Sequence, residues 1–155
     1  VAAAARDIAA ILADLGLPSW PLVTGGKGVH VVVPLRRTAG CDTVKLYARV
    51  FAKGLAAAEP DRFLAEMSKA KRKGKIFVDW LRNERGATAV APFSLRARPG
   101  APVAVPVGWD ELQRLESAAR FDPAAALRRV GDAFDRHHVA AVKLPESTAA
   151  SVLRP

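Results

Sequence analysis

Two apolar runs flank a cluster of glycines in Val23–Leu35, VTGGKGVHVVVPL, and no other stretch of the 155-residue chain restricts its fold so tightly. Valine side chains branch at Cβ and favour extended backbone. Gly25, Gly26 and Gly28 permit a tight reversal between the runs. The segments SWPLVT and GVHVVVPL therefore read as two antiparallel strands joined by a glycine turn. Lys27 places a positive charge at the turn. Glycines let backbone N–H groups approach an anion, and a lysine adds a point charge. An ordinary hairpin turn accounts for the same residues, and both readings stay open on this stretch alone. It is not a P-loop, because no Ser or Thr follows Lys27 and the upstream glycine is absent. It is not a dinucleotide fingerprint either.

His30 adds to the anion reading. Alternate residues of a strand share a face. Val29, Val31 and Val33 then point one way, and Gly28 and His30 the other. A histidine on the face of a glycine turn can donate to a phosphate; a partly buried strand histidine with a local partner is the plainer alternative.

Helical and extended segments alternate irregularly along the rest of the chain. The opening VAAAARDIAAILADLG carries Ile8, Ile11, Leu12 and Leu15 on one face and predicts an amphipathic helix. Asp42 predicts the cap of a helix to about Ala58, with Tyr47, Val50, Phe51 and Leu55 inward. Pro60 and Asp61 predict a short helix over PDRFLAEMSKA. A basic loop, KRKGK, then leads to a strand, IFVDW. TAVAPFSLR and APVAVPV read as extended segments around the turn RPGA. WDELQRLES predicts a helix, and Asp122 and Pro123 open a last one to about His137. The tail LPESTAASVLRP reads as irregular. This mixture predicts an α+β domain, a mixed or antiparallel sheet flanked by helices.

Charge narrows the partners. Lys and Arg number 24 against 15 Asp and Glu, a net charge of +9. Such an excess suits nucleic acid or nucleotide phosphates. The competing explanation is a compositional surplus of Arg, as GC-rich genes produce. Cys41 is the single cysteine, which excludes an intrachain disulfide and a multi-cysteine zinc site. A reducing, cytoplasmic setting is expected. No apolar run approaches the ~20 residues that span a bilayer. Arg6, Asp7 and Asp14 interrupt the opening stretch, which does not read as a signal peptide. The chain starts at Val1 rather than Met, as a piece of something longer would.

Two further constellations carry chemistry. In KIFVDWLRN, Asp79 ends an apolar strand with Phe77 on its face. A carboxylate there is costly to bury unless it is paired or binds a metal. Arg72, Arg82, Arg85 and Arg96 are candidate partners; Mg²⁺ or Mn²⁺, which prefer oxygen, are candidate ligands. One carboxylate is too few for a two-metal centre. In APFSLRARPG, Arg96 and Arg98 alternate with apolar residues and project from one face, as bidentate phosphate contacts or as a solvated basic edge. His137 and His138 are adjacent at a predicted helix end and do not share a face, which reads as surface or helix-dipole residues.

TGGKGVHVVVPL together with IFVDWLRNERGATAVAPFSLRARPGAPVAVPVGWDEL resembles the polymerase domain of bacterial ATP-dependent DNA ligase D, in the archaeo-eukaryotic primase superfamily. The resemblance runs from Val1 to about Arg136. It implies that Thr24, Gly25, Gly26, Lys27, Gly28 and His30 hold a nucleotide's triphosphate, with Thr24 standing where serine is commoner. It implies that Asp79 is the third metal-binding aspartate and the catalytic residue this chain contributes. It implies that Arg96, and Arg72 upstream, contact the nucleotide. The family's Asp-x-Asp pair precedes the region matched by the opening helix and does not occur here; Asp110-Glu111 lies in the wrong place. The chain thus resembles the C-terminal half of such a domain, 1–155, with the Asp-x-Asp half upstream. The activity implied by the resemblance is nucleotidyl transfer in DNA double-strand-break end joining, with two Mn²⁺ or Mg²⁺ ions and a preference for ribonucleotides. Nucleoside triphosphates, DNA ends, a ligase domain and a Ku-type end-binding protein are the implied partners, and nucleoid-associated cytoplasm the implied location. The isolated 155 residues are expected to be inactive. Two readings compete with the enzyme, a non-catalytic nucleotide or nucleic-acid binding module and a structural domain with remnant motifs. Asp79 is expected to point to the same cleft as His30.

Overall fold

The computed structural model describes residues 1–68, 70–131 and 140–145. Its elements in chain order are α1 (Ala2–Asp14), β1 (Trp20–Val23), β2 (Val29–Val32), α2 (Cys41–Ala58), β3 (Phe63–Leu64), β4 (Ile76–Phe77), β5 (Val105–Pro106), α3 (Trp109–Arg114) and α4 (Pro123–Leu127). The described residues fall into two compact units, 1–34 with 90–131 and 140–142, and 35–68 and 70–89 with 143–145. Helices accompany an antiparallel sheet and a parallel pair, so the α+β expectation holds. No helix among the described residues is long and apolar enough to cross a membrane.

The first unit is built on an antiparallel sheet of order β2-β1-β5. The glycine turn joins β1 to β2 as expected. Its register pairs Leu22 with His30 and Val23 with Val29. Directly paired residues share a face. Val23 and Val105 pack with Val107, Leu112, Phe121 and Ala5 in one core, and Val29 and Val31 rest against it. Burying each of the valine, leucine and phenylalanine side chains favours folding by roughly 1.5–3 kcal/mol. His30 points to the opposite face, as the alternation requires. β5 sits at a sheet edge, where Pro106 needs no ladder N–H.

The close of α1 follows from Gly16, whose φ of 73° lets the chain reverse. Gly16 N donates to Ala13 O at 2.8 Å and Leu17 N to Leu12 O at 2.8 Å. The buried face of α1 includes Ala4 and Ala5 as well as Leu12, while Ile8 and Ile11 are only half-buried. Small side chains make the closest approach to the core. The Trp109 indole N–H donates to Ser19 O at 3.0 Å and pins α3 to the chain entering β1. At α4, Asp122 accepts from Ala125 N at 2.7 Å, and Pro123 occupies the first turn. His137 and His138, and the tail from Glu146 on, lie outside the described residues.

The second unit corrects three expectations. Gly40, not Asp42, precedes the first turn of α2, and no side chain caps it. Asp42 lies inside that turn, where its charge still complements the helix dipole. Phe51, Ala52 and Leu55 are buried, while Tyr47 and Val50 are half-buried. The helix expected over PDRFLAEMSKA does not form. Arg62 and Phe63 donate to Glu59 O in a turn, and β3 then pairs in parallel with β4, Phe63 opposite Ile76. Phe63 is 2% exposed. Burial and long-range backbone pairing override the local helix preference. Only Ala70–Arg72 forms a short 3-10 turn. The strand expected over IFVDW ends at Phe77, before Asp79.

Candidate functional site

The glycine turn is held from within and from outside. Thr24 Oγ1 donates to Gly28 O at 2.9 Å, and Thr24 N to the same oxygen at 3.2 Å. The hydroxyl expected to serve a phosphate thus has its proton engaged in closing the turn. Gly25 N donates to Ala118 O at 3.1 Å. Gly25 has a φ of 65°, the left-handed region that favours glycine. A Cβ there would lie 2.8 Å from Arg96 Cγ and 3.1 Å from both Pro102 O and the Val103 carbonyl carbon. Gly25 is therefore required twice, by conformation and by space.

That close approach carries the arginines to the turn. Residues 93–104 double back as a second, irregular hairpin. Leu95 bridges Val103, Arg96 N donates to Pro102 O at 2.9 Å and Ala104 N to Ser94 O at 2.9 Å. The predicted RPGA turn closes it, with Gly100 at φ 78° and Ala101 at φ 42°. Arg96 lies against Gly25. The Arg98 guanidinium carbon would be 3.6 Å from a Cβ at Gly26. Both arginines project on the turn's side, as their alternation suggests. Lys27 is exposed at the tip, and no ion pair to Lys27, Arg96 or Arg98 occurs among the described residues. His30 follows on β2, half-buried. Three cations and a Cβ-free turn suit an anion with several phosphate oxygens.

Arg72 and Asp79 belong to the second unit. The Arg72 guanidinium lies 4.0 Å from the Phe77 ring centroid, and its Nη2 donates to Met67 O at 2.9 Å. Its Nε is buried without a hydrogen-bond partner among the described residues. Lys71, next to it, pairs with Glu66 at 2.6 Å and holds that carboxyl below its ordinary value. Asp79 is not the buried carboxylate that the apolar strand suggests. Its side chain is 38% exposed, because the strand has already ended. Its Oδ1 accepts from Leu81 N at 3.1 Å, and its Oδ2 lies 3.6 Å from Arg82 Nε. Of the arginines considered as partners, Arg82 is the neighbour. Asp110 and Glu111 are engaged by Arg6 and Arg129. No group of three or more His, Cys, Asp or Glu fit to hold a metal occurs among the described residues. Asp79 can offer one oxygen ligand, which does not make a two-ion centre.

One contributor escapes sequence reading: the Ala118 carbonyl, which accepts from Gly25 N, carries no side-chain signal. The proximity of Arg98 to Gly26 also needs the fold, although its alternation with Arg96 marks its direction.

A family model described as "LigD, primase-polymerase domain" matches residues 1–137. The multifunctional non-homologous end joining protein LigD of Pseudomonas aeruginosa is 44% identical over 122 residues, 79% of this chain and 14% of that protein. Its counterpart in Mycolicibacterium smegmatis is 40% identical over 119 residues, 76% of this chain and 16% of that protein. A solved structure, the polymerase domain of Mycobacterium tuberculosis ligase D in complex with DNA, superposes with a TM-score of 0.79 at 33% identity. It covers 88% of this chain, which in turn spans 48% of that domain.

Proposed function

The chain belongs to the LigD primase-polymerase domain family, and from that membership we propose that it supplies the nucleoside-triphosphate site of a nucleotidyl transferase in double-strand-break end joining. The supporting observation is the approach of Arg96 and Arg98 to Gly25 and Gly26, beside exposed Lys27. Arginine forks fit phosphate oxygens, and the missing Cβ at Gly25 and Gly26 lets Arg96 and Arg98 come close to the turn. Thr24 shapes the turn, and Gly28 and His30 continue it onto β2. Lys27, His30 and Arg96 would offset charge that develops on the triphosphate as pyrophosphate leaves. Arg72 is proposed as a further nucleotide contact. The expected substrates are ribonucleoside triphosphates and DNA ends, with a ligase domain and a Ku-type protein as further partners.

The chain spans about half of the polymerase domain it matches, and in this reading it is the C-terminal part. Asp79 would give one oxygen ligand to Mn²⁺ or Mg²⁺, in a centre whose other carboxylates come from outside these residues. A divalent ion so held would neutralise phosphate charge. The single carboxylate also favours a second reading for the chain taken by itself, a nucleotide-binding module without catalysis. An Asp-x-Asp encoded directly upstream of Val1 would decide for the enzyme.

Lys27→Ala in the natural polypeptide tests the proposal. Loss of one charge-assisted contact is worth roughly 1.5–3 kcal/mol, about ten- to a hundredfold in nucleotide use. Unchanged nucleotide affinity in a folded Lys27→Ala protein would reduce the glycine turn to a hairpin.

A further inference from the structure

The geometry points to a positioning device behind the turn: Glu111, Arg129 and Phe121 hold a carbonyl brace that sets the gap between the glycine turn and the arginine hairpin. The brace is the segment 117–121. It sends two carbonyls forward, one to each side of the anion site. Ala118 O accepts from Gly25 N at 3.1 Å, in the turn, and Phe121 O accepts from Val103 N at 2.8 Å, in the hairpin strand opposite Leu95. No other described segment is hydrogen-bonded through its backbone to both Gly25 and Val103. A shift of 117–121 therefore moves the glycines and the arginines relative to each other.

The brace is fixed from behind. The Ser117 hydroxyl oxygen accepts from Ala119 N at 3.1 Å, and Ser117 O accepts from Arg120 N at 3.2 Å, so the segment begins in a tight turn. Phe121 is 7% exposed and joins the core under the sheet. Arg129 stacks on its ring, 4.9 Å from the centroid. The same guanidinium forms a two-pronged pair with Glu111, Nη1 to Oε1 and Nη2 to Oε2, each 2.7 Å. Both side chains are about one-third exposed, 31% and 33%. An ion pair so exposed contributes little to overall stability. Its geometric effect is larger: it clamps Phe121 between α3 and the chain after α4. A one-ångström error at a phosphate contact is enough to lose affinity and rate.

The three side chains act on the anion site through the backbone oxygens of Ala118 and Phe121, which makes them positioning residues. The inference rests on the turn being the triphosphate site, and its test separates the two. Arg129→Ala, Arg129→Lys, Glu111→Gln and Lys27→Ala are made in the natural polypeptide. Affinity for ATP is titrated, and exchange of the Gly25 and Val103 amides is followed. Arg129→Ala and Glu111→Gln should each raise the Kd for ATP about five- to tenfold and accelerate exchange at both amides, with affinity for duplex DNA unchanged. Arg129→Lys should recover part of the loss. The brace is overturned if folded Arg129→Ala and Glu111→Gln leave exchange at both amides as it was, or accelerate it without weakening ATP binding while Lys27→Ala weakens it. If Lys27→Ala has no effect on ATP while both amides loosen, the brace stands and the triphosphate reading of Lys27 falls. Should Arg129→Ala fail to fold, Glu111→Gln, which keeps size and hydrogen bonding, decides by the same two measurements.

Discussion

Gly25 and Gly28 occupy one turn but carry different constraints. Gly25 combines a φ of 65° with a Cβ position 2.8 Å from Arg96 Cγ. Gly25→Ala should destabilise the fold by roughly 1–3 kcal/mol, since left-handed strain and overpacking add. Gly28 has an ordinary φ and only Thr24 Oγ1 within reach, at 3.8 Å. Gly28→Ala should change stability by less than about 1 kcal/mol. Urea unfolding of the two variants side by side checks the contrast. Asp79 makes the opposite case, a residue whose chemistry is open and whose stability role is small. Its ion pair with Arg82 is long and exposed, so Asp79→Asn should shift stability by no more than about 1 kcal/mol. If Asp79 ligates a divalent ion, the same change in the natural polypeptide should abolish manganese-dependent primer extension, while Arg82→Gln should not. Primer extension retained by Asp79→Asn would remove it from the site.

Helix α2 shows what one unsatisfied atom does to an element. Phe51, Ala52 and Leu55 seat it in the second unit. Tyr47 lies on the same side, with its hydroxyl buried and without a hydrogen-bond partner among the described residues. A stranded hydroxyl opposes folding, so Tyr47→Phe should be neutral or stabilising by up to about 1 kcal/mol. Burial also raises the Tyr47 pKa above its ordinary value of 10.0. The folded state then keeps its proton where the unfolded state loses one. Stability is accordingly full below the ordinary tyrosine pKa and declines as pH rises from there toward the raised folded value. Thermal melts between neutral and strongly alkaline pH should show this decline, and Tyr47→Phe should lessen it. An identical alkaline decline in Tyr47→Phe would assign it to other groups.

For the molecule as a whole, charge and ligand count pull in different directions. The +9 excess favours polyanions, whereas the described residues hold no metal-binding cluster. The purified 155 residues should therefore not extend a primer, although they carry the proposed triphosphate turn. A manganese-containing primer-extension assay, with contaminating polymerase excluded, checks this; template-directed addition by the chain alone would refute it. The chain spans 14% of the length of one relative and 16% of another.

Much of the first unit could be read from residue order. The two-residue period of valines around three glycines settled the hairpin and the side on which His30 lies, because strand alternation is a local property of the backbone. The Asp122-Pro123 start of α4 was legible for the same reason. Asp79 and the PDRFLAEMSKA segment were not. A two-residue strand such as β3 exists only because β4 offers a parallel partner and the core takes Phe63, and neither is written within the segment. Once β4 stops at Phe77, Asp79 is left partly in water, which no apolar run before it could reveal. The grouping of Arg96 and Arg98 with the glycine turn, and the brace behind it, likewise arose from tertiary structure. Carbonyl oxygens carry no sequence signature, and contacts between distant segments are set by packing and space rather than by local preference.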